Sequence, residues 1–139
     1  MLLDADDCQL VLVDFQEALM PAIWESELVL ANALRLAEAA KRFGVPICGT
    51  EQNPAKLGPN APALRALCER TLSKMHFSAT SEGLLDWLRP AARPAAGNAR
   101  SLPKHLQKPQ AAQVAERQTV VIAGCEAHVC LLQTALELM

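Results

Sequence analysis

Four things are scarce or missing in this chain, and each closes off a class of function. There is no excess of one charge. Thirteen Lys and Arg stand against fifteen Asp and Glu, a formal net charge of −2, so nothing pulls the whole chain toward nucleic acid or an anionic membrane surface. No stretch approaches the ~20 consecutive apolar residues needed to cross a bilayer. The five cysteines, at 8, 48, 68, 125 and 130, are odd in number, lack the spacing of a secreted disulfide scaffold and contain no C-x-x-C. Met1 runs directly into Leu2, Leu3 and Asp4 without a basic segment or cleavage site. No internal repeat is visible. These absences lead us to expect a reduced, cytoplasmic protein that takes a small-molecule substrate.

What is present is a globular composition, 51% apolar and 20% charged over 139 residues, enough for one domain (1–139) with a real core. Gln9 to Val13 is an apolar run, the first expected strand, with Asp14 at its C-terminal end. Glu27 to Phe43 is expected to form an amphipathic helix, with Leu28, Leu34, Ala37 and Phe43 near one stripe. Gly44 stops it, and VPICGT (45–50) is the second strand. Glu51 to Pro62 is expected to be a loop rich in Pro, Gly and Asn. A short helix over Ala63 to Glu69 and a third strand over Thr71 to Phe77 follow, then a helix near Leu84 to Leu88 with Ser81 as its N-cap. Arg89 to Gln110 is basic and rich in proline, without an acid. It is expected to be a solvated surface loop, or in the alternative a lid or subunit contact favouring an anionic substrate. Ala111 to Glu116 is expected to be a helical turn.

The most informative stretch is VVIAGCEAHVCLLQTALELM (120–139). Its non-alternating apolar start is expected of a parallel strand covered on both faces. Gly124 permits a sharp reversal, and Leu131, Leu132, Ala135, Leu136 and Met139 recur at helical spacing. Cys130 therefore falls where a strand's C-terminal edge meets a helix N-terminus, the usual position for ligands in open α/β sheets. Strands alternating with helices predict a three-layer α/β/α sandwich, Rossmann-like, with a mostly parallel sheet. In it Asp14, Lys74 and Cys130 can converge at one edge.

Activation of that cysteine needs more than the helix. A free thiol with a pKa near ~8.5 is only ~3% thiolate at pH 7. Making the thiolate dominant takes a shift of roughly two units, about 2.7 kcal/mol, whereas a helix N-terminus supplies ~0.3–1 and seldom more than ~2 kcal/mol. A fixed cation or a local base is required, and Lys74 can be the cation and Asp14 the base.

The segments LVLVDFQ (10–16), GVPICGTEQNPAKLG (44–58), SKMHFSA (73–79) and VVIAGCEAHVCLLQTALEL (120–138) together resemble the isochorismatase-like cysteine hydrolases, the superfamily that includes nicotinamidases and N-carbamoylsarcosine amidases. The last segment is the most specific, with Gly-x5-Cys after an apolar strand and Gln-Thr-Ala beyond it. It is most similar to an uncharacterised subgroup whose nucleophile turn reads E-A-H-V-C. The resemblance implies Cys130 as nucleophile, Asp14 as general base and Lys74 as the cation. It also implies a cis peptide between Cys125 and Glu126, with the backbone N–H groups of Glu126 and Cys130 as an oxyanion hole. The activity implied is hydrolysis of an amide-type C–N bond through a thioester. Vinyl-ether hydrolysis of the isochorismate type is disfavoured, because relatives acting on that bond do not depend on a cysteine here.

Nicotinamidase-type relatives bind a metal through Asp-x-His and further histidines after the second strand, but this chain reads EQNPAKLG there. We expect no metal and no cofactor. Phe15, Gln16, Gln52, Asn53, His76 and His128 are the expected substrate-pocket residues. The family strand order 3-2-1-4-5-6 implies that the last two strands are absent from this chain, leaving VVIAG as an apolar edge covered by a homo-oligomer or marking a fragment. Two other functions remain open at this point: a non-catalytic binding protein of the same fold, and a thiol-redox protein using Cys125 and Cys130.

Overall fold

The computed structural model describes residues 2–89 and 117–139. Apart from Arg89, the basic Pro-rich segment and the turn expected over Ala111 to Glu116 lie outside the described residues. The sheet is built on β1 (Cys8–Val13), whose six residues CQLVLV are all buried. They are buried because β1 is central. It pairs in parallel with β2 (Ile47–Gln52) on one side and β4 (Thr119–Gly124) on the other. Beyond β2 lies β3 (Arg70–Lys74), again parallel, so the order is β3-β2-β1-β4. This is the expected α/β architecture.

Alternation along β1 divides the core in two, since successive side chains of a strand face opposite sides. Leu10 and Leu12 pack in one cluster with Ala33 and Ala37 of α1 (Ser26–Arg42) and with Phe15, Met20 and Leu64. Val11 and Val13 pack in the other with Leu84 and Leu88 of α4 (Leu84–Leu88), Ala79, and Cys130 at the start of α5 (Cys130–Leu138). The buried stripe of α1 is Ala33 and Ala37, flanked by Val29, Leu30, Leu34 and Ala40. Leu28 and Phe43, expected on that stripe, are exposed. Alanines face the sheet here because they let helix and strand approach closely.

Several local expectations are corrected. Glu51 and Gln52 extend β2, the stretch read as a loop contains one short helix, α2 (Pro54–Leu57), and the short helix expected over Ala63 to Glu69 is α3 (Pro62–Arg65). Proline begins both, where its missing N–H costs nothing. β3 stops at Lys74, and Met75 to Phe77 form an irregular turn, with Met75 and Phe77 exposed. Ser81 lies within a 3-10 turn, Thr80–Glu82, and the residue preceding α4 is Gly83 at φ 99°. That backbone conformation suits glycine and not serine.

Register brings the strands' C-terminal ends to one edge: Val13 is opposite both Thr50 and Gly124, and Gln52 is opposite Lys74. A Cβ on Gly124 would collide with Val13, 2.5 Å from its Cβ and 2.8 Å from its Cα. Only glycine allows β4 to end there.

β4 is half-buried along its whole length and, among the described residues, pairs with β1 alone. No helix among the described residues is long and apolar enough to cross a membrane.

Candidate active site

The edge formed by the ends of β1, β2 and β3 is polar at its centre. Asp14 leaves β1 in the left-handed region (φ 53°) and is fully buried. A non-glycine residue there costs about 1–3 kcal/mol and persists only where its surroundings hold it. They do: Asp14 N–H donates to Thr50 O at 3.2 Å, and the Thr50 hydroxyl donates to Asp14 Oδ1 at 2.7 Å.

Lys74, the last residue of β3, is 1% exposed, and its ammonium lies 2.8 Å from Asp14 Oδ2. Burying two charges is tolerated only when pairing and hydrogen bonding are good. The Nζ also donates to Gln52 Oε1 at 2.8 Å, Phe77 O at 3.0 Å and His76 O at 3.3 Å. Those three acceptors match its three protons. Accordingly Asp14 Oδ2 accepts no well-directed hydrogen bond among the described residues, despite the nearby charge. It retains a lone pair for a proton from elsewhere.

Cys130 is 7% exposed at the first position of α5. Its thiol is pushed up from 9.0 to about 11, by burial first and then by the adjacent Asp14 carboxylate, with Lys74 acting in the opposite sense. Of the two means of activation expected, a fixed cation or a local base, the cation does not outweigh burial, because the charge of Lys74 is already matched by Asp14. Cys130 therefore rests as a thiol beside a carboxylate that is paired with Lys74 and hydrogen-bonded by Thr50.

The peptide joining Cys125 to Glu126 is cis. Glu126 O accepts from the N–H groups of Val129 and Leu131 at 3.1 and 3.3 Å, which shapes the turn leading to Cys130. Among the described residues, the N–H groups of Glu126 and Cys130 make no backbone–backbone hydrogen bond in this turn. Cys125 itself lies in the Leu10–Leu12 cluster, its thiol 3.9 Å from Met20 Sδ, whereas Cys130 lies in the Val11–Val13 cluster. The two sulfurs belong to opposite faces of the sheet, and all five cysteines are free. That arrangement does not suit a Cys125–Cys130 redox pair.

The expected pocket residues separate into two groups. Phe15 and Gln16 are corrections, since both are interior and structural. Phe15 packs with Leu10, Met20 and Leu64. Gln16 Nε2 donates to Gln52 O and Gly58 O, and its Oε1 accepts from Gln52 N. Gln52 and Asn53 are partly exposed beside Lys74, and Gln52 is one of the ammonium's acceptors. The His76 and His128 side chains are 74% and 77% exposed, His76 beside Glu82 and His128 beside Glu126. Among the described residues no group of three or more His, Cys, Asp or Glu gathers as a metal site would require. Two cavities, of about 300 and 380 Å³, lie elsewhere. The first is against Val120, Ile122 and Leu138, the second against Pro59, Asn60 and Arg65.

Sequence reasoning did not single out Thr50 or Glu82. Thr50 has a signal, a hydroxyl at a strand end one register position from Asp14. Glu82 has none, because its partners are mostly main-chain groups.

A model of the Isochorismatase domain matches residues 8–139, nearly the whole chain. The chain belongs to the isochorismatase family. Among relatives of this isochorismatase-family domain, isochorismatase domain-containing protein 2A of Mus musculus is 33% identical over 130 residues, 94% of this chain and 52% of its own length. Among solved structures, the MAR1 ribonuclease of Caenorhabditis elegans superposes with a TM-score of 0.75 at 25% identity, covering 99% of this chain and 60% of that one. The YcaC gene product of Escherichia coli, described as an octameric hydrolase of unknown specificity, has a TM-score of 0.73 at 22% identity, covering 98% and 58%. The chain thus spans about half the length of the curated relatives it matches.

Proposed function

We propose that this isochorismatase-family domain is a cysteine hydrolase acting on an amide-type C–N bond of a small molecule. The observation that carries the reading is the buried Asp14–Lys74 ion pair beside the Cys130 thiol. Asp14 is the general base, Cys130 the nucleophile, and Lys74 the cation paired with Asp14 that holds it in place.

In the first step Asp14 Oδ2 takes the thiol proton as Cys130 Sγ bonds to the substrate carbonyl carbon. The carbonyl π pair moves to oxygen, where the N–H groups of Glu126 and Cys130 receive the negative charge. One such donor is worth about 2.7–4 kcal/mol of barrier. Collapse breaks the C–N bond, and the proton on Asp14 leaves with the amine. Water then attacks the thioester, giving its proton to Asp14, which returns it to the departing thiolate. Substrate carbon is thus transferred to water with no redox change and no metal in the sequence of steps.

The high resting pKa of Cys130 supports a concerted transfer to Asp14 rather than a preformed thiolate. A homo-oligomer is part of the proposal, supported by the octameric E. coli neighbour. The test is turnover of a panel of primary amides, N-carbamoyl compounds and ureides, with intact-mass detection of a Cys130 acyl adduct. A short RNA belongs in the panel because the C. elegans neighbour is named a ribonuclease. RNA cleavage without amide turnover would replace the amide reading, and amide turnover surviving Cys130→Ala would remove the cysteine from the mechanism.

A second reading, a non-catalytic binding member of the family, has one observation in its favour. Asp14, Lys74 and Cys130 are all buried, at 0%, 1% and 7% exposure. It predicts no turnover of any panel member and no acyl adduct.

A further inference from the structure

Lys74 owes its position to a stretch of chain without regular structure. Two of its three acceptors, His76 O and Phe77 O, belong to the turn after β3. Exposed Met75 and Phe77 give that turn little apolar anchorage. What gathers it is a single oxygen. Glu82 Oε1 accepts from Met75 N–H at 2.9 Å, His76 N–H at 3.1 Å and His76 Nδ1 at 2.7 Å.

The anchor is itself seated against the nucleophile's helix. The Thr80–Glu82 turn is joined to α5 through Ala79 N–H, which donates to Thr134 Oγ1 at 3.1 Å, and through Ser78 Oγ, which donates to Glu137 Oε2 at 2.6 Å. Gln52 completes the frame, donating from Nε2 to Met75 O at 2.8 Å while its Oε1 accepts from Lys74.

We propose that Glu82 is a positioning residue for Lys74, its carboxylate fixing the Met75–Phe77 turn so that the His76 and Phe77 carbonyls hold the ammonium against Asp14. The inference rests on the reading of Lys74 as the cation serving Asp14 and Cys130. Three donors on one carboxylate oxygen give the turn its shape, since the N–H groups of consecutive residues can converge only when the chain bends around the acceptor. The same bonds, the Met75 N–H first and then the His76 ring, hold the Glu82 carboxyl down to about 2. Glu82 is therefore ionised throughout the working range. Loss of this acceptor frees the two carbonyls and lets the ammonium move from Asp14, which removes the opposing charge that eases ionisation of Cys130.

The experiment follows alkylation of Cys130 by iodoacetamide at pH 8–9, by peptide mass spectrometry on the native full chain, so that the other four cysteines are scored separately. Lys74→Met is expected to slow Cys130 alkylation about tenfold, equivalent to one pH unit in thiol ionisation. Glu82→Ala should slow it about three- to tenfold, Glu82→Gln should recover part of the loss, and the double variant should be no slower than Lys74→Met alone. That non-additivity marks action through Lys74, whereas general loosening of structure would add to the Lys74 effect. If Glu82→Ala does not fold, Glu82→Gln combined with Lys74→Met provides the same comparison. A Lys74→Met effect with wild-type rates in both Glu82 variants, or additive losses in the double variant, overturns the role of Glu82 and leaves Lys74 standing. Unchanged alkylation in Lys74→Met overturns the catalytic reading of Lys74 and this inference with it.

Discussion

Replacing Asp14 by Asn should make Cys130 easier to ionise while abolishing turnover, two effects of opposite sign from one atom change. In the native chain the thiol is pushed up to about 11 from an ordinary 9.0. Burial is the largest cause and Asp14 the next, with Lys74 opposing both. Asparagine is nearly isosteric, and its amide oxygen can still accept from Thr50, but it carries no charge and does not take the thiol proton. The Lys74 ammonium keeps Gln52 Oε1, His76 O and Phe77 O, so it stays in place as an unmatched positive charge. Removing the carboxylate removes a cause that raises the thiol, so alkylation of Cys130 by iodoacetamide at pH 8 rises, about tenfold for each pH unit by which ionisation is eased. Hydrolysis of any substrate found in the amide panel falls by a factor of about 10² to 10⁴, the usual contribution of a general base. The measurements are Cys130-specific alkylation by peptide mass spectrometry from pH 7 to 9.5, and steady-state kcat of the same preparation. Slower alkylation in Asp14→Asn would refute the claim that the Asp14 charge opposes ionisation of Cys130, and turnover within a few-fold of wild type would refute the assignment of Asp14 as base.

Other expectations follow from the same geometry. Cys48 is pushed up to about 12, and Cys68, Cys125 and Cys130 to about 11, each with burial as the first cause. Because these thiols ionise in the unfolded chain from about pH 9 but later in the folded one, their contribution to stability is intact below pH 9 and is lost as pH rises toward 11–12. For Cys48 the slope is about 1.4 kcal/mol per pH unit, and urea unfolding at pH 7, 9 and 10 should show it flattened in Cys48→Ala. Thr134→Val strands the buried N–H of Ala79, which donates to Thr134 Oγ1, and should cost about 1–3 kcal/mol in the same assay. Gly124→Ala drives a methyl group into Val13 and should cost about 1–3 kcal/mol or more, visible as a lower urea midpoint. Thr134→Ser, which keeps the hydroxyl, should retain most of the stability that Thr134→Val loses.

Much of this arrangement was legible in the residues, for identifiable reasons. A central parallel strand must be apolar on both faces, so Gln9 to Val13 and Val120 to Ala123 stand out, and with them the positions of Asp14 and Cys130. Lys74 was found through the electrostatic shortfall at Cys130. Its local structure was less legible: Met75 and Phe77 extend an alternating strand-like pattern, yet both are exposed in a turn that Glu82 and Lys74 hold by hydrogen bonds to main-chain groups. Such bonds leave no side-chain signature in a sequence. Phe15 and Gln16 were expected at the pocket because they follow Asp14, but Asp14's left-handed backbone redirects the chain inward. The direction of the Cys130 shift also needed the structure, because a lysine already paired with a buried carboxylate exerts far less field than a free one. The basic segment Arg89 to Gln110 lies, apart from Arg89, outside the described residues.

The central claim is that a substrate carbon becomes bonded to Cys130 Sγ with Asp14 receiving the thiol proton. It is tested most directly by intact and peptide mass spectrometry of the chain quenched in acid during turnover of an amide. The account predicts an acyl mass increment on the Cys130 peptide, absent in Cys130→Ala and strongly reduced in Asp14→Asn. Turnover with no increment on Cys130, or an increment on another cysteine that persists in Cys130→Ala, would contradict it.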